Sequence, residues 1–295
     1  MIIPPTYLSM IQGLTCRLSW IIPVSAIILL ISCEEVMDVS FAGDSAKNLV
    51  VEGSITTDTM AHLVTLSFTG DFFNKTGQDM VSGAKVTISD GDTTHILREL
   101  ASGKYFTDPD VYGEAGKTYT LEILLADGRQ YTGSDMLYPC AVFDSIGQSG
   151  NYNSHLFGYG YDVLFYGQEP EPAGDNYMYL VYINHVLYSD TLSEVVFAND
   201  EFVNGNYIRD YVVYRIDEID IPDSAALVTL EMYSITTKYY DYMSAMMMET
   251  VWKGSPWDGP PSNVNGNLSN GARGYFRASA VSRRSRNFAA LPRAN

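Results

Sequence analysis

"AKVTISDGDTTHILREL", residues 84–100, alternates apolar and polar residues on both sides of Asp90-Gly91. A period of two marks half-buried strands, and Asp-Gly between two such runs is a strong hairpin signal. Working outward, "NLVVEGSIT" (48–56) and "AHLVTLSF" (61–68) read as a strand pair on the N-terminal side. On the other side follow "GKYF" (103–106), "KTYTLEILL" (117–125) and "RQYTGSD" (129–135), the last two joined through Asp127-Gly128. Roughly seven short strands separated by turns, with no convincing helix, predict an immunoglobulin-like β-sandwich over residues 48–138.

Past Pro139 the strands become rich in tyrosine and the loops lengthen. "YGYDVLFYG" (159–167), "NYMYLVYINH" (176–185), "YIRDYVVYRI" (207–216) and "ALVTLEMYSI" (226–235) alternate as strands. "TTKYYDYMSAMMMETV" (236–251) shifts to a helical period, with Tyr239, Met243, Met246, Met247 and Thr250 on one face. "GYFRASAVS" (274–282) is expected as the strand that closes the module. The fold expected is therefore mostly β, a sandwich followed by a second β-rich domain at 139–283 carrying one helix, with a basic tail at 284–295.

The chain has 295 residues and a formal charge of −17, but the sum hides a polarity. Six arginines and no acid lie beyond Asn270, and Arg17 is the one basic residue before Cys33. Residues 34–270 thus hold all 35 acids against 11 basic residues, a charge of −24 that argues against nucleic acid or any other polyanion as partner. The "RRSR" of Arg283, Arg284 and Arg286 is expected to be a solvated end.

At the N-terminus "WIIPVSAIILLI" (20–31) is apolar for twelve residues, too short to span a bilayer and interrupted by Pro23. With Arg17 before it, the run reads as an export signal over residues 1–32, and a start at Met10 gives the more ordinary length. Its end, Leu30-Ile31-Ser32-Cys33, resembles a bacterial lipobox, in which the cysteine receives diacylglycerol before cleavage. Acyl chains contribute about 0.8 kcal/mol per buried methylene, so a lipidated Cys33 anchors the mature chain without spanning the membrane. Glu34 and Glu35, opening an acidic tether over 33–47, resemble the surface-export signal of Bacteroidota lipoproteins. They place the body outside the outer membrane, with a periplasmic position as the alternative. Of the other cysteines, Cys16 falls within the signal and Cys140 has no basic neighbour in sequence to lower its thiol pKa.

Signs of catalysis are sparse. His62, His95, His155 and His185 show no metal-ligand spacing, and no metal or cofactor is assigned. Ser82-Gly83-Ala84-Lys85 spells an SxxK motif but enters a strand, where i and i+3 point to opposite faces. Glu169 and Glu171 in "GQEPEPAGD", and Asp200 and Glu201 in "FANDEFVNGN", have the oxygen chemistry of a calcium site. EF-hand spacing is missing, and turn chemistry accounts for them. Trp252 and Trp257, around Gly254 and Pro256, read either as exposed anchors for a glycan, peptide or protein partner or as plugs of the second domain. Asp-(Ser/Thr) triplets at Ser45, Thr59, Thr93, Ser145, Thr191 and Ser224 resemble the O-glycosylation site of Bacteroidota exported proteins.

The order of Ser82-Gly83-Ala84-Lys85-Val86, Gly103-Lys104-Tyr105 and Gly116-Lys117-Thr118-Tyr119-Thr120-Leu121 resembles the carboxypeptidase-regulatory-like, transthyretin-like sandwiches. Together with Phe143-Asp144-Ser145-Ile146, Tyr239-Tyr240-Asp241-Tyr242 and Gly274-Tyr275-Phe276, the whole chain resembles a Bacteroidota family of outer-membrane lipoproteins, domain-of-unknown-function family 4249. That resemblance implies a non-enzymatic binding or accessory component beside a TonB-dependent receptor. The alternatives are a periplasmic or envelope module for glycan or peptide, and a hydrolase whose site is assembled from residues distant in sequence.

Overall fold

The turn expected at Asp90-Gly91 forms in the computed structural model, which describes residues 47–70, 79–151, 159–221, 225–251, 262–289 and 291. Asp90 Oδ1 accepts the N–H groups of Asp92 (3.0 Å) and Thr93 (2.7 Å), while Gly91 adopts a φ of +94° that a side chain would strain. Lys117 completes the corner with a 2.7 Å ion pair, the main reason the Asp90 carboxyl titrates down at about 2.

The elements before this turn are β1 (Leu49–Thr56), β2 (Leu63–Phe68) and β3 (Asp79–Met80), and the hairpin itself is β4 (Lys85–Ser89) and β5 (Thr94–Ile96). Its return strand is shorter than the alternation predicts. Leu97 is buried, donates its N–H to Val86 O at 2.9 Å, and there the chain crosses to a second sheet as β6 (Arg98–Ala101). Then follow β7 (Lys104–Phe106), β8 (Thr118–Leu124), β9 (Gln130–Met136), β10 (Ser145–Asn151), β11 (Gly160–Gln168), β12 (Asn176–Ile183), β13 (Val186–Leu187) and β14 (Val196–Asn199). The chain ends with β15 (Tyr207–Asp217), β16 (Ala226–Ile235), the helix α1 (Thr237–Thr250), β17 (Arg273–Ser279) and β18 (Val281–Phe288).

Four sheets make two sandwiches. In the first, β5-β4-β8-β9 faces β17-β1-β2-β7-β6, with β3 on the edge of β2, across a core that includes Val51, Leu66, Val86, Ile88, Leu121 and Phe276. In the second, β10-β11-β15 faces β13-β12-β16-β18, with β14 also on β12, around Phe165, Tyr179, Val181, Leu230 and Phe288. Fully burying one such large apolar side chain contributes roughly 1.5–3 kcal/mol. The other face of β12 and β16 presents Met178, Tyr233 and Ile235 to Tyr239 and Tyr240 of α1. Thr236 caps this helix, accepting the Tyr239 N–H at 3.2 Å. Among the described residues the expectation of a mostly β protein with one helix holds.

The end of the chain departs from expectation. Residues 274–282 do not form one strand closing the second domain: the backbone breaks at Ala280 into β17 and β18, which join different sandwiches. β17 runs parallel to β1, so the boundary expected near residue 138 is crossed by a strand from the far end of the chain. Gly274 makes the pairing feasible, because its φ is +95° and a Cβ would lie 2.0 Å from Val51 O. The expected basic tail also has to be corrected in its first part. Residues 284–288 belong to β18, paired with β16, because their arginines find partners there. Arg283 bridges Asp58 and Glu231, Arg284 Nε donates to Asp144 O (3.0 Å) beneath its stack on Phe143, and Arg286 Nη1 donates to Ile146 O (3.3 Å).

Candidate functional site

β11 and β12 are joined by Glu169-Pro170-Glu171-Pro172-Ala173-Gly174-Asp175, and β14 and β15 by residues 200–206. The two loops interlock. Glu169 N–H donates to Asn206 O (2.9 Å), Gln168 Nε2 to Gly205 O (3.0 Å), Gly174 N–H to Asp200 Oδ2 (2.8 Å) and Asp200 N–H to Asp175 O (3.1 Å). Within the second loop the N–H groups of Val203 and Asn204 both donate to Asp200 O at 2.9 Å. Gly205 has a φ of +70°, and a Cβ there would meet Glu171 Oε1 at 2.7 Å.

This interlock brings carboxylate oxygens of Glu169, Asp175 and Asp200 within 4.8 Å of one another. Glu169 is 5 % exposed and Asp200 3 %. Tyr177 Oη donates to Glu169 Oε1 at 2.8 Å, and among the described residues none of the three acids has an ion-pair partner. Two charges at that separation repel by roughly 3–4 kcal/mol at an effective dielectric of about 20. Burial first, then the neighbouring carboxylates, push the Glu169 carboxyl above its ordinary range despite the Tyr177 bond. Burial and Asp200 do the same to Asp175. Beside the cluster a cleft of about 490 Å³ is lined by Pro139, Cys140, Glu171, Asp175 and Asn176 among others. Such a set of hard oxygens can hold a divalent cation, or share protons in its absence.

The sequence points to Glu169, Glu171, Asp200 and Glu201 as an oxygen-rich pair of loops. The structure brings Glu169 and Asp200 together, adds Asp175, seats Glu171 against Gly205, and leaves Glu201 exposed. Asp175 closes the same "GQEPEPAGD" stretch, but its part in the cluster is not readable there, because its place depends on β12 pairing with β14, where Asn176 lies opposite Asn199 and carries the neighbouring Asp175 and Asp200 together.

The other candidates scatter. Cys33, Glu34, Glu35, Ser45, Ser224, Trp252 and Trp257 lie outside the described residues, as does His155. Thr59, Thr93, Ser145 and Thr191 are exposed at separate places, Ser145 within β10 rather than a turn. Ser82 Oγ pairs with Ser102 Oγ at 2.8 Å, and Lys85 opens β4. Cys140 is no poised nucleophile: burial raises its thiol pKa to about 12, and Sγ donates to Met232 O. His62 is 3 % exposed, its Nε2 has no hydrogen-bond partner, and burial lowers its pKa, so it sits neutral in the core.

Fold and site together define a double β-sandwich with an acidic, proline-rich loop clasp. The chain belongs to the family described as a domain of unknown function (DUF4249), whose model matches residues 36–285. No curated protein matches it.

Proposed function

We propose that the chain is a lipoprotein anchored through Cys33 to the outer membrane of a Bacteroidota cell, its folded body outside, acting without catalysis as a binding or accessory component beside a TonB-dependent receptor. The observation that carries this reading is positional: the family match begins at residue 36, directly after Cys33-Glu34-Glu35. Acylation at Cys33 would leave that whole unit on the aqueous side of the leaflet. The −24 charge of residues 34–270 supports a covalent tether, since such a body is repelled by anionic head groups. A non-catalytic role is supported by the chemistry of the groups most often recruited as nucleophile and base, with the Cys140 thiol held protonated and His62 sealed in the core.

The test is metabolic labelling with a palmitate analogue in a bacterium that has an outer membrane, followed by fractionation. Wild-type protein should carry label and sediment with the outer membrane, and Cys33→Ala should carry none and leave that fraction. An unlabelled wild type, or a Cys33→Ala variant that stays membrane-bound, overturns the anchor. Protease added to whole cells should degrade the body, and protection of the body would overturn the outward orientation.

A further inference from the structure

The connection between β1 and β2, residues 57–62, fastens the C-terminal strands to the first sandwich. Thr57 N–H donates to Ser279 O (3.3 Å) and Thr57 Oγ1 accepts the Val281 N–H (3.1 Å), so one residue holds both sides of the break at Ala280. Its neighbour Asp58 pairs with Arg283 of β18, which also pairs with Glu231 of β16. The other end of the loop is anchored in the first sandwich. There His62 N–H donates to Thr107 Oγ1 (2.9 Å), His62 O accepts the Thr107 N–H (3.0 Å), and Met60 N–H donates to Val111 O (3.1 Å).

His62 serves that anchor through its backbone, yet it also places an imidazole in the interior. The residue is 3 % exposed, and its Nε2 has no hydrogen-bond partner among the described residues. A buried polar atom without a partner is costly, and a charge in its place costs more. The groups that act on the ring come from three elements. The Asp58 carbonyl and carboxylate, in its own loop, favour the cation, but that carboxylate is shared with Arg283. The Val111 carbonyl, between β7 and β8, also favours it but already accepts the Met60 N–H, and His95 of β5 opposes it. Burial outweighs them all and holds the imidazole below its ordinary value of 6.5. An opened loop would take up a proton that the closed loop refuses, so the closed form is fully favoured above pH 6.5 and loses that advantage as pH falls below it.

We propose that His62 is an acid-sensitive pin: its protonation expels the 57–62 loop from the first sandwich and loosens the bend at Ala280, while the strands on either side stay paired. The fastening between the two sandwiches then answers to the pH of the medium around the protein, through one residue far from the acidic clasp in sequence and in the other core.

The experiment is hydrogen exchange read by mass spectrometry on the full-length lipidated protein in detergent, at pH 7.5 and 5.5, with intrinsic rates corrected. One proton taken up by the opened loop at an ordinary pKa of 6.5 corresponds to about a tenfold loss of protection at 57–62 and 279–283, with β12 and β16 unchanged. His62→Leu and His62→Gln should each abolish the acid-dependent loss, whatever their protection at pH 7.5. The raised carboxyls of Glu169 and Asp175 act with the opposite sign and are common to all three proteins. No loss in wild type, the same loss in both variants, loss at 57–62 without 279–283, or equal loss throughout the chain overturns the proposal. If neither variant folds, histidine NMR of the wild type decides, with His62 assigned by elimination in His95→Gln, His155→Gln and His185→Gln. A His62 ring still neutral at pH 5.5 in the closed protein supports the pin, and one that titrates near 6.5 overturns it.

Discussion

Glu169 shows how a single residue couples the clasp to pH. It and Asp175 titrate above their ordinary values of 4.5 and 3.8, so the native state keeps protons that the unfolded chain has already released. The sign follows: their contribution is most favourable below the ordinary carboxyl range and is lost as pH rises through the raised native values. Glu169→Gln removes one buried charge and keeps an oxygen for the Tyr177 hydroxyl. In metal-free buffer it should gain on the order of 1 kcal/mol over wild type at pH 7.5, and the gain should vanish toward pH 4. Urea unfolding across that range checks it. A variant less stable than wild type at pH 7.5 would mean that the carboxylate is paid back by a favourable partner in solution.

At the scale of elements, alternation made most of the fold legible, and its failures have physical causes. β1, β2, β8, β12, β15 and β16 fall where the periodicity puts them, β12 and β16 burying residues on both faces because the helix covers the second one. β10, "SIGQSGN", carries little apolar signal, because Gly147 leaves room for the Tyr166 ring that would stand 2.8 Å from a Cβ. The crossing at Leu97 and the split at Ala280 are set by which sheet offers hydrogen bonds, a tertiary fact that no local pattern holds. The candidate site was half legible for the same reason: the loop residues were visible, but their convergence was created by β12·β14 pairing. The parallel β1·β17 pair tests this dependence on backbone approach. Gly274→Ala forces a Cβ onto Val51 O and should cost about 3 kcal/mol or more, whereas Gly116→Ala, at a φ of +90° with open space around it, should cost only about 1–2 kcal/mol of backbone strain. Equal losses in thermal unfolding would show that β17 does not lie where Gly274 places it.

For the molecule as a whole, β17 determines how many cooperative units residues 47–295 contain. It supplies the outer strand beside β1 and continues after Ala280 into β18 of the other sandwich. Buried polar ties reinforce the junction. Asp135 of β9 accepts the Ala278 N–H (3.0 Å) and the Thr236 hydroxyl, while Ser234 of β16 donates to Tyr138 O (2.7 Å) and accepts the Ala280 N–H (3.1 Å). Cys140 packs against both hydrophobic cores. A fragment ending at residue 138 therefore lacks Phe276 and Ala278, both fully buried in the first core, and leaves the inward edge of β1 and the Asp135 carboxyl unpaired. Residues 47–138 alone should be unfolded or aggregated by circular dichroism. The body 47–295 should unfold in one calorimetric transition whose van't Hoff and calorimetric enthalpies agree. Two separated transitions, or a folded monomeric 47–138 fragment, would show that each sandwich stands without the strand it borrows, and the molecule would then be two domains joined at Pro139 rather than one unit closed by its own C-terminal strands.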